Sequence, residues 1–234
     1  SLFNAAFALF GPGDEVLVAT PFWTSYPQIV SLARAEPVEV AGSPERNFLL
    51  TPEDLEAAYT ERTKGLILCS PCNPTGAVYS SDELRAITEW ARDRDVCLLA
   101  DEIYREIYFD DDRSRAPSIL ELPEASVGPC VLIDGASKAF AMTGWRIGFS
   151  YSDVDTAKKL NALQSHTTSN AAAPSQMAAL TAFGDRARAR SAAQEMVAAF
   201  RRRRDLVARL LGELLPGLAF VEPTGAFYFF IRVD

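Results

Sequence analysis

Lys138 is the residue on which a chemistry can be built. It lies within Gly135-Ala136-Ser137-Lys138-Ala139, and Thr143-Gly144-Trp145-Arg146-Ile147-Gly148 follows shortly after. The small residues on either side let a bulky planar ligand approach the backbone. Arg146 adds a planar fork of donors suited to a phosphate. A lysine forming a Schiff base with a phosphorylated aldehyde would use such parts. Three other places carry candidate chemistry, each beside a plainer reading. Asp101, with Tyr104 three residues on, is either a helix cap or a buried anion facing a cation. Asn73-Pro74-Thr75-Gly76 is either a simple turn or a binding loop. Trp23, in the loop after the first strand, reads by itself as a core residue.

Short apolar runs position these residues. Glu15 to Ala19, Pro37 to Ala41, Gly65 to Cys69, Val96 to Ala100 and Cys130 to Ile133 read as strands, most of them buried. Helices are expected from the opening residues to Phe10, from Tyr26 to Ala35, from a cap at Thr51 onward, from a Ser81-Asp82-Glu83 cap to about Arg94, and from Val154 to about Gln164. A long amphipathic helix is expected from Arg186 to about Gly212. Arg146 to Tyr151 reads as a further short strand, which places Lys138 in a turn between two strands. His166 falls in a polar stretch and is left out of the catalytic set. Strands alternating with helices predict an α/β fold with a mostly parallel sheet and right-handed crossovers, its ligands lying beyond the carboxyl ends of the strands. Trp23, Asn73, Asp101 and Lys138 each follow a different strand at that end, so four distant loops should meet at one crevice.

The Gly135–Gly148 stretch resembles the lysine signature of class I pyridoxal-phosphate aminotransferases. Asn73-Pro74-Thr75-Gly76, Asp101-Glu102-Ile103-Tyr104 and Pro21-Phe22-Trp23 are similar to that family in order and spacing, and the resemblance covers nearly the whole chain. It implies the fold type I PLP-transferase large domain, a mostly parallel central sheet with helices on both faces, followed by the start of a smaller α+β domain. It also implies pyridoxal 5'-phosphate as cofactor, bound covalently by Lys138. Asp101 would then keep the pyridine nitrogen protonated, while Tyr104 and Asn73 would hold the phenolic oxygen. Arg146 and Ser137 would hold the phosphate, and Trp23 would stack on the ring. Trp23 and Asn73 would also meet the substrate.

The pattern looks most like the prokaryotic aspartate aminotransferase group, with aspartate and 2-oxoglutarate as the expected amino acid and 2-oxo acid and a homodimer as the expected assembly. A C–S lyase or an aromatic aminotransferase would use the same site. A non-catalytic dimerisation or ligand-sensing module of a regulator is the reading from another class. Residues 1–185 are expected to form the cofactor-binding large domain and 186–234 the beginning of the small one. The chain opens inside a helix without an initiator methionine, so it reads as cut at both ends. The family's carboxylate-binding arginine and partner-subunit tyrosine would then lie outside it, and the 234-residue chain alone is expected to turn over little.

With 48% hydrophobic residues, the chain can bury a sizeable core. A formal charge of −8 argues against a nucleic-acid partner, which needs a basic face. The basic run Arg201 to Arg204 sits in a helical pattern and reads as a solvated face. No apolar run approaches the roughly 20 residues that span a bilayer, and no signal peptide opens the chain, so a cytoplasmic location is the default. The four cysteines lie in or beside strands. Cys69 and Cys72 have the spacing of a redox or zinc pair, but there is no second pair, and no metal is expected.

Overall fold

Leucine, isoleucine and valine crowd the strands because both faces of the sheet are covered. A computed structural model describes residues 1–233, with the Arg186 side chain outside that description. Helix α1 (Leu2–Leu9) leads to β1 (Glu15–Thr20), α2 (Ser25–Leu32), β2 (Glu36–Ala41), α3 (Pro52–Ala58), β3 (Thr63–Cys69), α4 (Ser81–Asp93), β4 (Cys97–Asp101) and β5 (Cys130–Gly135). Then come the one-turn α5 (Ala136–Ala139), β6 (Gly148–Ser152), α6 (Val154–Thr167), α7 (Ala173–Gly184), α8 (Arg186–Leu214), β7 (Phe220–Val221) and β8 (Phe230–Ile231). Residue 234, the last of the expected small-domain segment, lies outside the described residues.

The main sheet runs β2-β1-β3-β4-β5-β6, with every pair parallel except β5 with β6. Alternate strand residues divide between two cores, as the two-residue period of a strand requires. Val16, Val18, Ile67, Leu99, Val131 and Ile133 face α1, α2, α6 and the Met196–Phe200 part of α8. Leu17, Leu66, Leu68, Leu98, Ala100 and Leu132 face α3 and α4. After β1 the chain winds outward to β2, then crosses back to β3 and proceeds the other way. The reversal therefore lies between β1 and β3, the place where such sheets open a ligand crevice.

Several local expectations change. The second helix stops at Leu32, where Arg34 turns left-handed (φ 66°). The cap of α4 is Ser80, which exchanges hydrogen bonds with Glu83 in a capping box; Ser81 is the first helical residue. Arg146 is not in a strand: it ends a short 3-10 turn in the left-handed region (φ 53°), and β6 starts only at Gly148. Lys138 sits on a helical turn instead of an open loop. His166 lies in the last turn of α6. Helix α7 was not anticipated, because its small and polar residues show little helical patterning.

Near the end, Ala226 to Ile231 reads in sequence as one β-forming strand, yet only Phe230–Ile231 is strand, and it pairs antiparallel with the earlier Phe220–Val221. The arginine run is not simply solvated: Arg201 bonds to Asp111 and to the Asp110 carbonyl, and Arg204 stacks over Phe109. No helix among the described residues is long and apolar enough to cross a membrane. All four cysteines are free, and burial pushes the Cys69 and Cys72 thiols up.

Candidate active site

The carboxyl ends of β1, β3, β4 and β5 open on one cavity of about 480 Å³, within the roughly 300–1,000 Å³ range of small-molecule sites. All seven residues singled out in the sequence line it: Trp23, Asn73, Asp101, Tyr104, Ser137, Lys138 and Arg146. They are brought together from positions more than a hundred residues apart because parallel strands deliver all their carboxyl ends to the same edge.

Asp101 is the last residue of β4 and only 7% exposed. It caps no helix. Its Oδ2 accepts the Tyr26 hydroxyl at 2.7 Å and its Oδ1 accepts the Ile103 amide at 3.2 Å. Burial raises its carboxyl above the usual range, against the pull of those two donors and of the positive charge at Lys138. Tyr26 is itself pushed well up by burial and by the acid it faces, so its hydroxyl stays a donor.

Lys138 lies on the first turn after β5. Its Nζ is 5.4 Å from the ring centroid of Tyr104 and 5.4 Å from that of Phe227, within cation–π reach of both. Gly135 lets this turn form close to β6: a side chain there would meet the Ile147 carbonyl at 2.8 Å. Arg146 Nη1 donates to the Thr143 carbonyl at 3.1 Å, which fixes the short turn beneath its fork. Trp23 is 42% exposed, with its ring edge-on to Tyr26 at 5.5 Å. The Asn73 loop is shaped by left-handed Gly76 (φ 71°), packed so tightly on Pro223 that a Cβ would come within 2.3 Å of that ring.

Sequence reasoning missed several members of this site. Tyr26 reads as a core residue of an amphipathic helix, and nothing local shows that its hydroxyl ends on an acid 75 positions away. Tyr228 and Phe227 read as strand residues, yet Tyr228 lines the cavity and its hydroxyl meets that of Tyr104 at 2.5 Å. Tyr104 is raised chiefly by burial. Asp134, in the lining immediately before Gly135, is pushed up to about 7 by burial and, less strongly, by Glu102, Glu106 and Asp101, while the Gly135 amide at 2.6 Å opposes the shift.

A parallel sheet covered on both faces, with a buried acid ending one strand and a lysine on the turn after the next, is an α/β arrangement with the parts a covalently held cofactor would need. The family profile for aminotransferase class I and II matches residues 1–234, and the chain belongs to that family. Pyridoxal phosphate is the family's cofactor. The chain is 43% identical to the aspartate/prephenate aminotransferase of Cereibacter sphaeroides, an alignment covering 97% of this chain and 56% of that protein. It is 38% identical to the aspartate aminotransferase of Geobacillus stearothermophilus, covering 98% and 57%. Among solved structures, Thermus thermophilus aspartate aminotransferase with maleate superposes with a TM-score of 0.90 at 39% identity, covering 97% and 58%. The aromatic aminotransferase of Pyrococcus horikoshii gives 0.92 at 36% identity, covering 99% and 61%. The chain thus spans little more than half the length of the relatives it matches.

Proposed function

We propose that this chain forms the cofactor-binding part of a transaminase that moves an amino group between an amino acid, aspartate first, and a 2-oxo acid such as 2-oxoglutarate. The observation that carries the reading is the shared cavity of Lys138 and Asp101, with Tyr104 also in its lining. The donor set fits pyridoxal phosphate: one amine, one buried carboxylate, a hydroxyl and an amide, and a guanidinium beside Ser137. Asp101 supports the fit most directly, since a buried acid that is costly to ionise alone becomes a stable anion when a protonated ring nitrogen faces it.

When bound, the cofactor supplies an aldehyde that captures amines and a ring that accepts electron density. Lys138 would hold the cofactor, and its Nζ, when free, would take a proton from the substrate α-carbon and return it as an acid. Asp101 keeps the ring proton in place, and Tyr26 keeps Asp101 oriented. The Tyr104 hydroxyl and the Asn73 amide hold the ring oxygen. Arg146 and Ser137 hold the phosphate, and Trp23 covers the ring face and meets the substrate.

Residues 1–185 form the cofactor domain in this reading, and 186–234 begin the smaller one. The whole protein would be a cytoplasmic homodimer without membrane or nucleic-acid partners. An aromatic or prephenate-type preference is the second reading, favoured by the likeness to the Pyrococcus enzyme and by the name of the Cereibacter relative. In the test, the natural full-length protein is reduced with borohydride and its peptides are mapped. Cofactor attached at Lys138, with glutamate made from aspartate and 2-oxoglutarate, supports the proposal; cofactor attached elsewhere refutes it. Faster turnover of phenylalanine or prephenate than of aspartate's pair would select the second reading.

A further inference from the structure

The segment Pro223 to Tyr228 lies against two parts of the site. The Gly76 carbonyl accepts both the Thr224 amide at 3.0 Å and the Gly225 amide at 2.9 Å, tying the segment to the Asn73 loop. The Phe109 amide donates to the Thr224 carbonyl, and the Ala226 amide donates to that of Ile107, each at 2.9 Å, tying it to the turn that follows Tyr104. Gly225 fits only because it lacks a side chain, since a Cβ there would meet Pro71 at 2.7 Å. Ala226 is fully buried in a left-handed conformation (φ 56°), and the chain beyond it brings Tyr228 into the cavity lining. Phe227 then stands 5.3 Å from Tyr104, edge to face, and Tyr228 stands 5.6 Å from it.

A pair of phenol hydroxyls has two hydrogens and several possible arrangements. Each hydroxyl donates once and accepts up to twice. If Tyr104 donated to Tyr228, its hydrogen would be spent and it could not bind an anionic oxygen in the cavity. If Tyr228 donates, Tyr104 accepts and still has its hydrogen for that oxygen, and the two bonds polarise one another. Resting on the functional reading above, we propose that Tyr228 is a positioning residue that acts through Tyr104: its hydroxyl donates to Tyr104, turning the Tyr104 hydrogen onto the ring oxygen of pyridoxal phosphate. The last segment of the chain thereby sets how strongly the cavity favours the ionised form of that oxygen.

The experiment uses the natural full-length protein loaded with pyridoxal phosphate and follows the visible absorbance of the lysine-bound cofactor against pH. A donor on the ring oxygen favours the ionised form and lowers the pH at which the band changes. Tyr104→Phe therefore raises the midpoint. Tyr228→Phe raises it by roughly half a unit to one unit, the shift expected when one neutral hydrogen bond in a relay is lost. In the Tyr104→Phe background, Tyr228→Phe adds nothing, because its route is gone. Near-ultraviolet circular dichroism of the cofactor-free variants checks that the rings remain packed.

An unchanged midpoint in Tyr228→Phe overturns the proposal, and so does an equal shift in both backgrounds. A wild-type protein that shows no titrating band, or a band that survives Lys138→Ala, overturns the functional reading and the proposal with it. A normal wild-type titration beside an unresponsive Tyr228→Phe overturns the proposal alone.

Discussion

An acid held by a tyrosine and an amide, buried and still facing a cavity, has one use that its surroundings favour: to wait for a cation. Asp101→Asn keeps the size and the Tyr26 contact but cannot hold a ring proton. Cofactor content should stay near normal while turnover falls about 10²-fold or more, the scale of losing one well-placed electrostatic group; an unchanged rate measured by coupled assay would remove Asp101 from this role. Asp134 makes a prediction of opposite character. Its folded-state value, about 7, lies above that of an unfolded carboxylate, so ionising it opposes folding. Its contribution is whole below the unfolded carboxylate range and is lost as pH climbs through about 7. Asp134→Asn, which keeps an acceptor for the Gly135 amide, should leave stability near wild type at pH 4 and raise it by on the order of 2 kcal/mol at pH 8, read by urea unfolding. At this scale, the residues carried by local motifs were legible in the sequence. Tyr26 and Tyr228 were not, because a hydroxyl that finds its partner across the fold leaves no trace in neighbouring positions.

Short elements show why some boundaries could be read and others not. The Thr51 cap of α3 was legible because its hydroxyl and Asp54 form a reciprocal box at fixed spacing. Ser80 was missed in favour of Ser81 although Glu83 stands three residues after Ser80, the spacing that should have decided between adjacent hydroxyls. Arg146 reads in sequence as the start of a strand, whereas a left-handed turn at Arg146 puts the strand start two residues later. Gly76 carries a prediction here. An alanine there would combine a positive φ with a 2.3 Å approach to Pro223, so Gly76→Ala should cost about 3 kcal/mol in chemical denaturation and weaken cofactor binding by displacing the Asn73 loop. A loss under 1 kcal/mol would show that the loop and the segment at Pro223 yield to each other easily.

The sheet itself was the most legible feature, since strands buried on both faces read as unbroken apolar runs whose loops fall at one edge. What sequence could not show was which way the last segment turns: Ala226 to Ile231 has strand composition throughout, yet the contacts to Gly76 and Ile107 bend it into the site before it pairs with β7. A ligand that binds only the folded chain stabilises the whole molecule. Pyridoxal phosphate at 100 times its dissociation constant should add about 2.7 kcal/mol, a rise of roughly 5–10 °C in the thermal midpoint of a chain this size. Lys138→Ala should lose most of that rise in differential scanning fluorimetry, and an equal rise in both proteins would mean that binding does not depend on the lysine.

Helix α8 runs 29 residues, a rod of about 43 Å. It is fastened near its middle, where Phe200 packs on the core, Arg201 grips Asp111 and Arg204 lies over Phe109, while Leu206, Val207, Leu210 and Leu214 face outward. A tilt of about five degrees at that fastening would carry the tip at Leu214 through about 2 Å, so the contacts around Phe109, a few residues from Tyr104, set where the far end of the rod stands.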